Sequence, residues 1–134
     1  MDRTILGRVA TALCALGAML GAAWAQTITD GSDRVVGGQS AAEAVALIGR
    51  GLKDRESARV TGLRPGRAGA VCGQLDRRNR MGDYTGPRGF VADPAAGFAG
   101  LSPESPELRA PASAADYQAA QRARTLYRAN CMLD

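Results

Sequence analysis

The sequence contains no histidine, and aromatic residues make up only 4% of its 134 positions. Without imidazole the chain has neither a Ser–His nor a Cys–His nucleophile pair, and it lacks the commonest general base. A hydrophobic core must therefore be built mainly from alanine, valine and leucine. With so few aromatics, we expect Tyr84 and Phe90 in or beside that core rather than on a platform that stacks nucleic-acid bases.

An excess of positive charge is also nearly absent. The chain carries 17 basic and 13 acidic residues, a net charge of +4, and lysine occurs once, as Lys53. This excess is far below that of a committed nucleic-acid binder, so we predict no nucleic-acid partner. Neither a GxxxxGK[ST] phosphate loop nor a CxxC pair is present, and the sequence predicts no cofactor.

The N-terminus has the three zones of a secretory signal peptide. Two arginines occur within residues 1–8, an uncharged apolar run covers 9–23, and Ala23 and Ala25 are the small residues before a cut at Gln26. The apolar run would span about 22 Å as a helix, less than the roughly 30 Å of a bilayer core. We therefore predict a cleaved leader, residues 1–25, no stable membrane anchor after cleavage, and a periplasmic or secreted protein.

Export determines how the cysteines are interpreted. The mature chain keeps Cys72 and Cys131, and two thiols in an oxidising compartment are usually paired. A metal pair is the alternative, but without histidine or a second cysteine pair a tetrahedral zinc site lacks ligands. We predict a structural Cys72–Cys131 disulfide, worth about 4 kcal/mol in the chain-entropy model, and no metal site.

One domain is expected over residues 40–134, after a flexible segment at 26–39. Ser40 and Glu43 have the spacing of a capping box, and the apolar residues that follow recur at helical spacing. This pattern predicts an amphipathic helix that begins at Ser40 and ends between Arg50 and Lys53.

Strand signals follow, over residues 58–64, 68–75 and 84–92. Pro65 and Gly66 favour a type II turn between the first two segments. Pro87 cannot donate to a ladder, so the third segment is expected to be an edge strand or to contain a bulge. The three segments predict an antiparallel meander.

The final part of the chain combines a predicted loop with a predicted helix. Residues 93–112 contain four prolines with Gly, Ala and Ser, and we expect an extended or mobile loop. Ser113 then caps a C-terminal helix, with Asp116 in its first turn. The predicted fold class is α+β: an N-terminal helix, a three-stranded meander, a long loop, and a C-terminal helix tied to the sheet by the disulfide.

Two segments resemble motifs of a group of small, uncharacterised exported bacterial proteins. Residues 52–58, LKDRESA, are similar to LKDPxSA, and residues 71–86, VCGQLDRRNRMGDYTG, are similar to VCGxVNxKNxxGGYTG. With the cysteine near the C-terminus, the resemblance covers about residues 45–92 and Cys131. Arg55, Asp76 and Asp83 depart from the pattern, which has Pro, Asn and Gly there. The resemblance implies export and the disulfide, and no mechanism.

The connection after the second predicted strand holds the candidate functional residues, which are Arg77, Arg78, Asn79, Arg80 and Tyr84. Arginines in this density favour binding of a phosphate, an anionic envelope component or an acidic protein face, or they are simply solvated and balanced by neighbouring aspartates. We therefore expect a non-catalytic exported protein that binds another envelope component. The alternative is a small hydrolase that uses the carboxylate of Asp76 or Asp83.

Overall fold

Five β-strands form the centre of the structure, a computed structural model that describes residues 27–132. In chain order the elements are β1 (Thr27–Ile28), α1 (Asp33–Val36), α2 (Gly38–Gly49), β2 (Arg59–Pro65), β3 (Val71–Asp76), β4 (Arg88–Asp93), β5 (Phe98–Leu101), α3 (Ser105–Arg109) and α4 (Ala114–Asn130). The strands lie in chain order across the sheet. Strands β2 to β5 are antiparallel, and the two-residue β1 pairs in parallel with β2. The predicted α+β class is confirmed.

Helix α2 covers one face of the sheet with branched apolar side chains. Val45 and Ile48 are buried against residues from three strands, among them Leu63, Leu75 and Phe90. The predicted helix is present, but its start differs: Gly37 is the N-cap, and Ser40 lies inside the first turn without forming the capping box. Gly37 has a φ of +89°, a conformation that glycine adopts readily because it has no Cβ. This conformation lets the chain turn from α1 directly into α2.

A β-bulge in β2 turns Leu63 toward α2. The register shifts between Thr61 and Arg64, so one extra residue lies on β2 opposite β3. Asp30 and Ser32 bond the bulge: the Gly62 amide donates to Asp30 Oδ2 at 2.7 Å, and the Leu63 amide donates to Ser32 Oγ at 3.0 Å. The predicted flexible segment 26–39 thus contains β1, α1 and two side chains that bond to the sheet.

Helix α4 covers the opposite face and is tied to it by the Cys72–Cys131 disulfide, whose Cα atoms lie 5.6 Å apart. Ser113 Oγ accepts the Asp116 amide at 3.1 Å, which confirms the predicted cap. Residue 66 must be glycine here, because a Cβ would lie 2.6 Å from Cys72 Sγ. The predicted type II turn is wrong, since Gly66 has a φ of −95° and the positive φ values fall on Ala68 and Gly69.

The prediction of three strands is wrong, because the antiparallel part of the sheet has four. The segment expected as a long loop, 93–112, contains strand β5 and helix α3. The third strand starts at Arg88, just after Pro87, and is paired on both sides rather than at an edge. Phe98–Leu101 lacked a strand signal because it consists of small and apolar residues without alternation; β5 instead packs against a helix on each face.

The predicted signal peptide, residues 1–25, and its cleavage site at Ala25 and Gln26 lie outside the described residues. Among residues 27–132, no helix combines the length and apolarity needed to cross a bilayer.

Candidate functional site

The connection between β3 and β4 is folded into a small closed loop around Asn79. Asn79 Oδ1 accepts the backbone amides of Met81 at 2.9 Å and Asp83 at 3.0 Å, and the Asn79 amide donates to the Asp83 carbonyl at 2.8 Å. Gly82 takes a φ of +86° at the tip. An asparagine side chain commonly organises a turn in this way. The loop, although exposed, therefore has a bonded backbone frame.

Tyr84 anchors this loop to the preceding part of the chain. An isolated bridge pairs Tyr84 with Arg78, and the Tyr84 hydroxyl donates to the Ser57 carbonyl at 3.0 Å. The Arg59 guanidinium lies 3.7 Å from the ring centroid, and that of Arg78 lies 5.2 Å from it, both within cation–π range. The structure thus brings together the two segments, 52–58 and 71–86, that carry the resemblance.

The two candidate carboxylates have different surroundings. Asp76 is half-buried at the end of β3, and its Oδ1 accepts the Gly86 amide at 3.1 Å, so it fastens the return of the loop. Asp83 is exposed, and its backbone amide and carbonyl form the two bonds that join it to the loop. Among the described residues, neither aspartate forms an ion pair with Arg77, Arg78 or Arg80. The arginines are therefore not balanced by ion pairs to these neighbours.

A cleft of about 860 Å³ opens beside this loop, and we call it the basic cleft. Its basic lining residues are Lys53, Arg77, Arg78, Arg80 and Arg88; its acidic ones are Asp54, Glu104 and Glu107. Loop 77–87 forms one wall, and α3 with its preceding residue forms another. Lys53 approaches from the segment after α2. Positive charge thus comes from the segment after α2, from the loop and from Arg88 at the start of β4, whereas Glu104 and Glu107 contribute negative charge.

Among the described residues, Arg88 is the one basic residue of the basic cleft that forms an ion pair. It bonds Glu107 through both terminal nitrogens, at 3.1 and 2.9 Å, and its Nη2 donates to the Ser102 carbonyl at 2.7 Å. Burial tends to raise the pKa of Glu107, but the hydrogen bonds from Arg88 and the Glu104 amide, with the charges of Arg88 and Arg77, outweigh it and hold the pKa below its usual value. The Glu104 carboxylate lies 3.5 Å from Arg88 Nε, so both carboxylates near Arg88 help to hold α3 on the sheet.

Sequence reasoning located part of this site. Arg77, Arg78, Asn79, Arg80 and Tyr84 do lie together, although Asn79 and Tyr84 act on the loop frame. Lys53 was missed as a lining residue; its place in the LKDRESA segment was the available signal. The contribution of α3 was missed because the segment was expected to be a loop. Among the described residues, no group of three or more acidic, cysteine or histidine side chains could hold a metal ion.

Comparisons with known proteins give no assignment for this chain. No family model matches it, and neither a curated protein nor a solved structure matches it.

Proposed function

We propose that this protein is a non-catalytic exported protein that binds an anionic component of the cell envelope in the basic cleft. The observation that carries the proposal is the charge lining that cleft. Lys53, Arg77 and Arg80 line it, and among the described residues none of them forms an ion pair with a carboxylate. Guanidinium groups bind phosphate and carboxylate oxygens in a two-pronged geometry, so an anionic ligand is the natural counterpart.

The frame of the loop supports binding. Asn79 and Tyr84 hold the backbone that carries Arg77, Arg78 and Arg80, so only the arginine side chains need to be ordered when a ligand arrives. Lower ordering cost gives a higher affinity for the same contacts. A recessed cleft also suits an extended anionic group better than the flat face of an acidic protein.

Export is part of the proposal and rests on the leader pattern together with the disulfide, which is typical of oxidising compartments. Trp24 is the sole tryptophan of the chain, and cleavage after Ala25 removes it. Protein purified from the envelope fraction should therefore begin at Gln26 by mass spectrometry and show tyrosine emission only. Tryptophan emission in that material would overturn the cleavage site.

The binding proposal is tested by calorimetry of the mature protein with two short anions, tripolyphosphate and trigalacturonate, at low salt. The test variant is Arg77→Ala/Arg80→Ala; Arg78 stays because it stacks on Tyr84. The matched control is Arg34→Ala/Arg50→Ala, which removes the same charge from exposed positions on α1 and after α2.

We expect at least one anion to bind, with an affinity that falls about tenfold or more in the test variant, as loss of a charged contact implies. The control should change it little. Binding of neither anion, or equal losses in the two variants, would overturn the proposed function.

A further inference from the structure

A second basic pocket borders a different face of α3. It has a volume of about 290 Å³ and is lined by Arg109, Arg124 and Arg128 with Pro103, Ser105 and Leu108. No acidic residue lines it, and among residues 27–132 none of the three arginines forms an ion pair. We call it the arginine pocket. Its charge is thus uncompensated by any lining residue.

The three arginines lie close enough to repel one another. Arg124 and Arg128 are four residues apart on α4, where like charges lie side by side and destabilise a helix. Arg109, in the last turn of α3, adds a third charge from a different element. A bound anion would offset this repulsion. Because α3 also contributes an arginine, the pocket is formed by two elements and is not only a row of charges along one helix.

Helix α3 separates the arginine pocket from the basic cleft. Glu107, with Glu104 just before the helix, lines the cleft, whereas Ser105, Leu108 and Arg109 line the pocket. At about 3.6 residues per turn these positions point to different sides of α3, so the side chains of the helix separate the two sites. One flexible chain with repeated negative groups can contact both sites, and one small anion cannot.

We infer that the ligand is a polyanion, a flexible polymer with regularly repeated phosphate or carboxylate groups, which crosses α3 and contacts the basic cleft and the arginine pocket together. This rests on the proposed function for the first of the two sites. Nucleic acid fits less well, because the Arg59 guanidinium lies 3.7 Å from the centroid of the Tyr84 ring and occupies a face on which a base would stack. Two linked contacts on one polymer raise affinity without any new kind of contact.

The test compares long-chain polyphosphate with tripolyphosphate, and polygalacturonate with trigalacturonate, by calorimetry. These arms distinguish a phosphate polymer from a carboxylate polymer, and a single-stranded oligonucleotide serves as the nucleic-acid arm. The variant Arg109→Ala/Arg128→Ala empties part of the arginine pocket at two exposed positions, and alanine keeps the helices favourable. Arg34→Ala/Arg50→Ala is again the charge-matched control.

For at least one polymer we expect about tenfold or more tighter binding than for its trimer in the wild type and in the control. The Arg109→Ala/Arg128→Ala variant should lose this gain, and the slope of log affinity against log salt should fall by about two, one for each arginine removed. A gain that persists in this variant, or that the control loses equally, would overturn the inference. So would an oligonucleotide that binds more tightly than both polymers.

The two proposals fail in different ways. Trimers that bind in the wild type and weaken in Arg77→Ala/Arg80→Ala, without any gain from polymer length, would overturn the polyanion and leave the proposed function standing. Trimer binding that Arg77→Ala/Arg80→Ala leaves unchanged would overturn the proposed function itself.

Discussion

The two faces of the sheet are held to their helices by different means. The α2 face buries large branched and aromatic side chains, including Val60, Leu63, Leu75 and Phe90, each at most 2% exposed. The α4 face has a smaller buried cluster of Ala70, Cys72, Val91 and Cys131, with Leu126 and Tyr127 packed against it, and Ala123 of α4 is also buried. Helix α2 is held to the sheet by buried apolar area, and helix α4 is held by close packing and a covalent bond.

Glycines explain how α4 comes so close. A Cβ at Gly100 would lie 2.7 Å from the Ala123 Cβ, and one at Gly89 would lie 2.6 Å from the Tyr127 Cζ. The helix therefore packs on the sheet with little side-chain volume between them, which limits the apolar area that it can bury. A face of this composition needs the disulfide more than the α2 face does.

Removing the disulfide should have the largest effect. We expect Cys72→Ser, Cys131→Ser and the double variant to lose about 4 kcal/mol of unfolding free energy, because each frees the same long loop in the unfolded chain. Hydrogen exchange should rise earlier in α4 than in α2, since α2 keeps its apolar contacts. Denaturant unfolding with and without reductant measures the first effect.

The three cysteine variants are controls for one another. If Cys72→Ser and Cys131→Ser differ strongly in stability, or if one free thiol per chain titrates in the mature protein without reductant, the pairing does not account for the effect. Equal loosening of α2 and α4 would contradict the proposed difference between the faces.

Adding one methyl group to each face should have the next largest effect. Gly100→Ala meets the Ala123 Cβ, which is fixed to the α4 backbone, whereas Gly73→Ala meets the far end of the Phe90 ring at 2.7 Å. Overpacking costs about 1–3 kcal/mol, and Gly100→Ala should lie at the upper end because the helix itself must move. Unfolding midpoints of the two variants give the comparison.

Making Gly100→Ala and Gly73→Ala in the Cys72→Ser/Cys131→Ser background sharpens the comparison between the two faces. Without the covalent link α4 can move away from the sheet. Gly100→Ala should therefore lower the unfolding free energy less in this background than in the wild type, whereas the loss caused by Gly73→Ala should be the same in both. Equal penalties in both backgrounds would show that the disulfide does not hold the helix in place.

The smallest effect concerns the bulge that turns Leu63 to the α2 face. Hydrogen bonds lower the pKa of the Asp30 carboxyl. The largest effect comes from the Gly62 amide, followed by the hydroxyl and the amide of Ser32. Because the folded pKa is depressed, this stabilisation is present above the ordinary pKa of about 3.9 and is lost as the pH falls through the folded value. Asp30 is exposed, so Asp30→Asn should cost only about 1 kcal/mol at pH 7.

Denaturant unfolding at several pH values checks this. The difference in unfolding free energy between the wild type and Asp30→Asn should be constant from pH 7 to 5 and should become smaller below pH 4. A difference that does not change with pH would mean that the charge of Asp30 is not what stabilises the bulge.

Local patterns predicted the elements whose signals lie in adjacent residues. The Ser113 cap and the apolar spacing of α2 come from such short-range preferences. The bulge in β2 does not, because strict alternation would put Leu63 on the face of Thr61, and the two side chains that bond the bulge come from a segment about thirty residues earlier. Strand β5 was missed for the same reason: its pairing with β4 and its packing on two helices are tertiary effects.

The candidate site shows the same division. The arginines of residues 77–80 could be recognised because they lie close together in the chain. The basic cleft and the arginine pocket could not, because only the fold brings Lys53 to the loop of residues 77–80 and Arg109 to Arg124 and Arg128.

The disulfide has a consequence for limited proteolysis. The loop that carries Arg77, Arg78 and Arg80 lies between Cys72 and Cys131, so a cut there opens the chain inside a covalent ring. Trypsin acting on these exposed arginines would produce two fragments that migrate together in a non-reducing gel and separate only after a reductant is added. A nicked molecule would keep α4 attached to the sheet, and so the binding loop could be severed without releasing the C-terminal part of the protein.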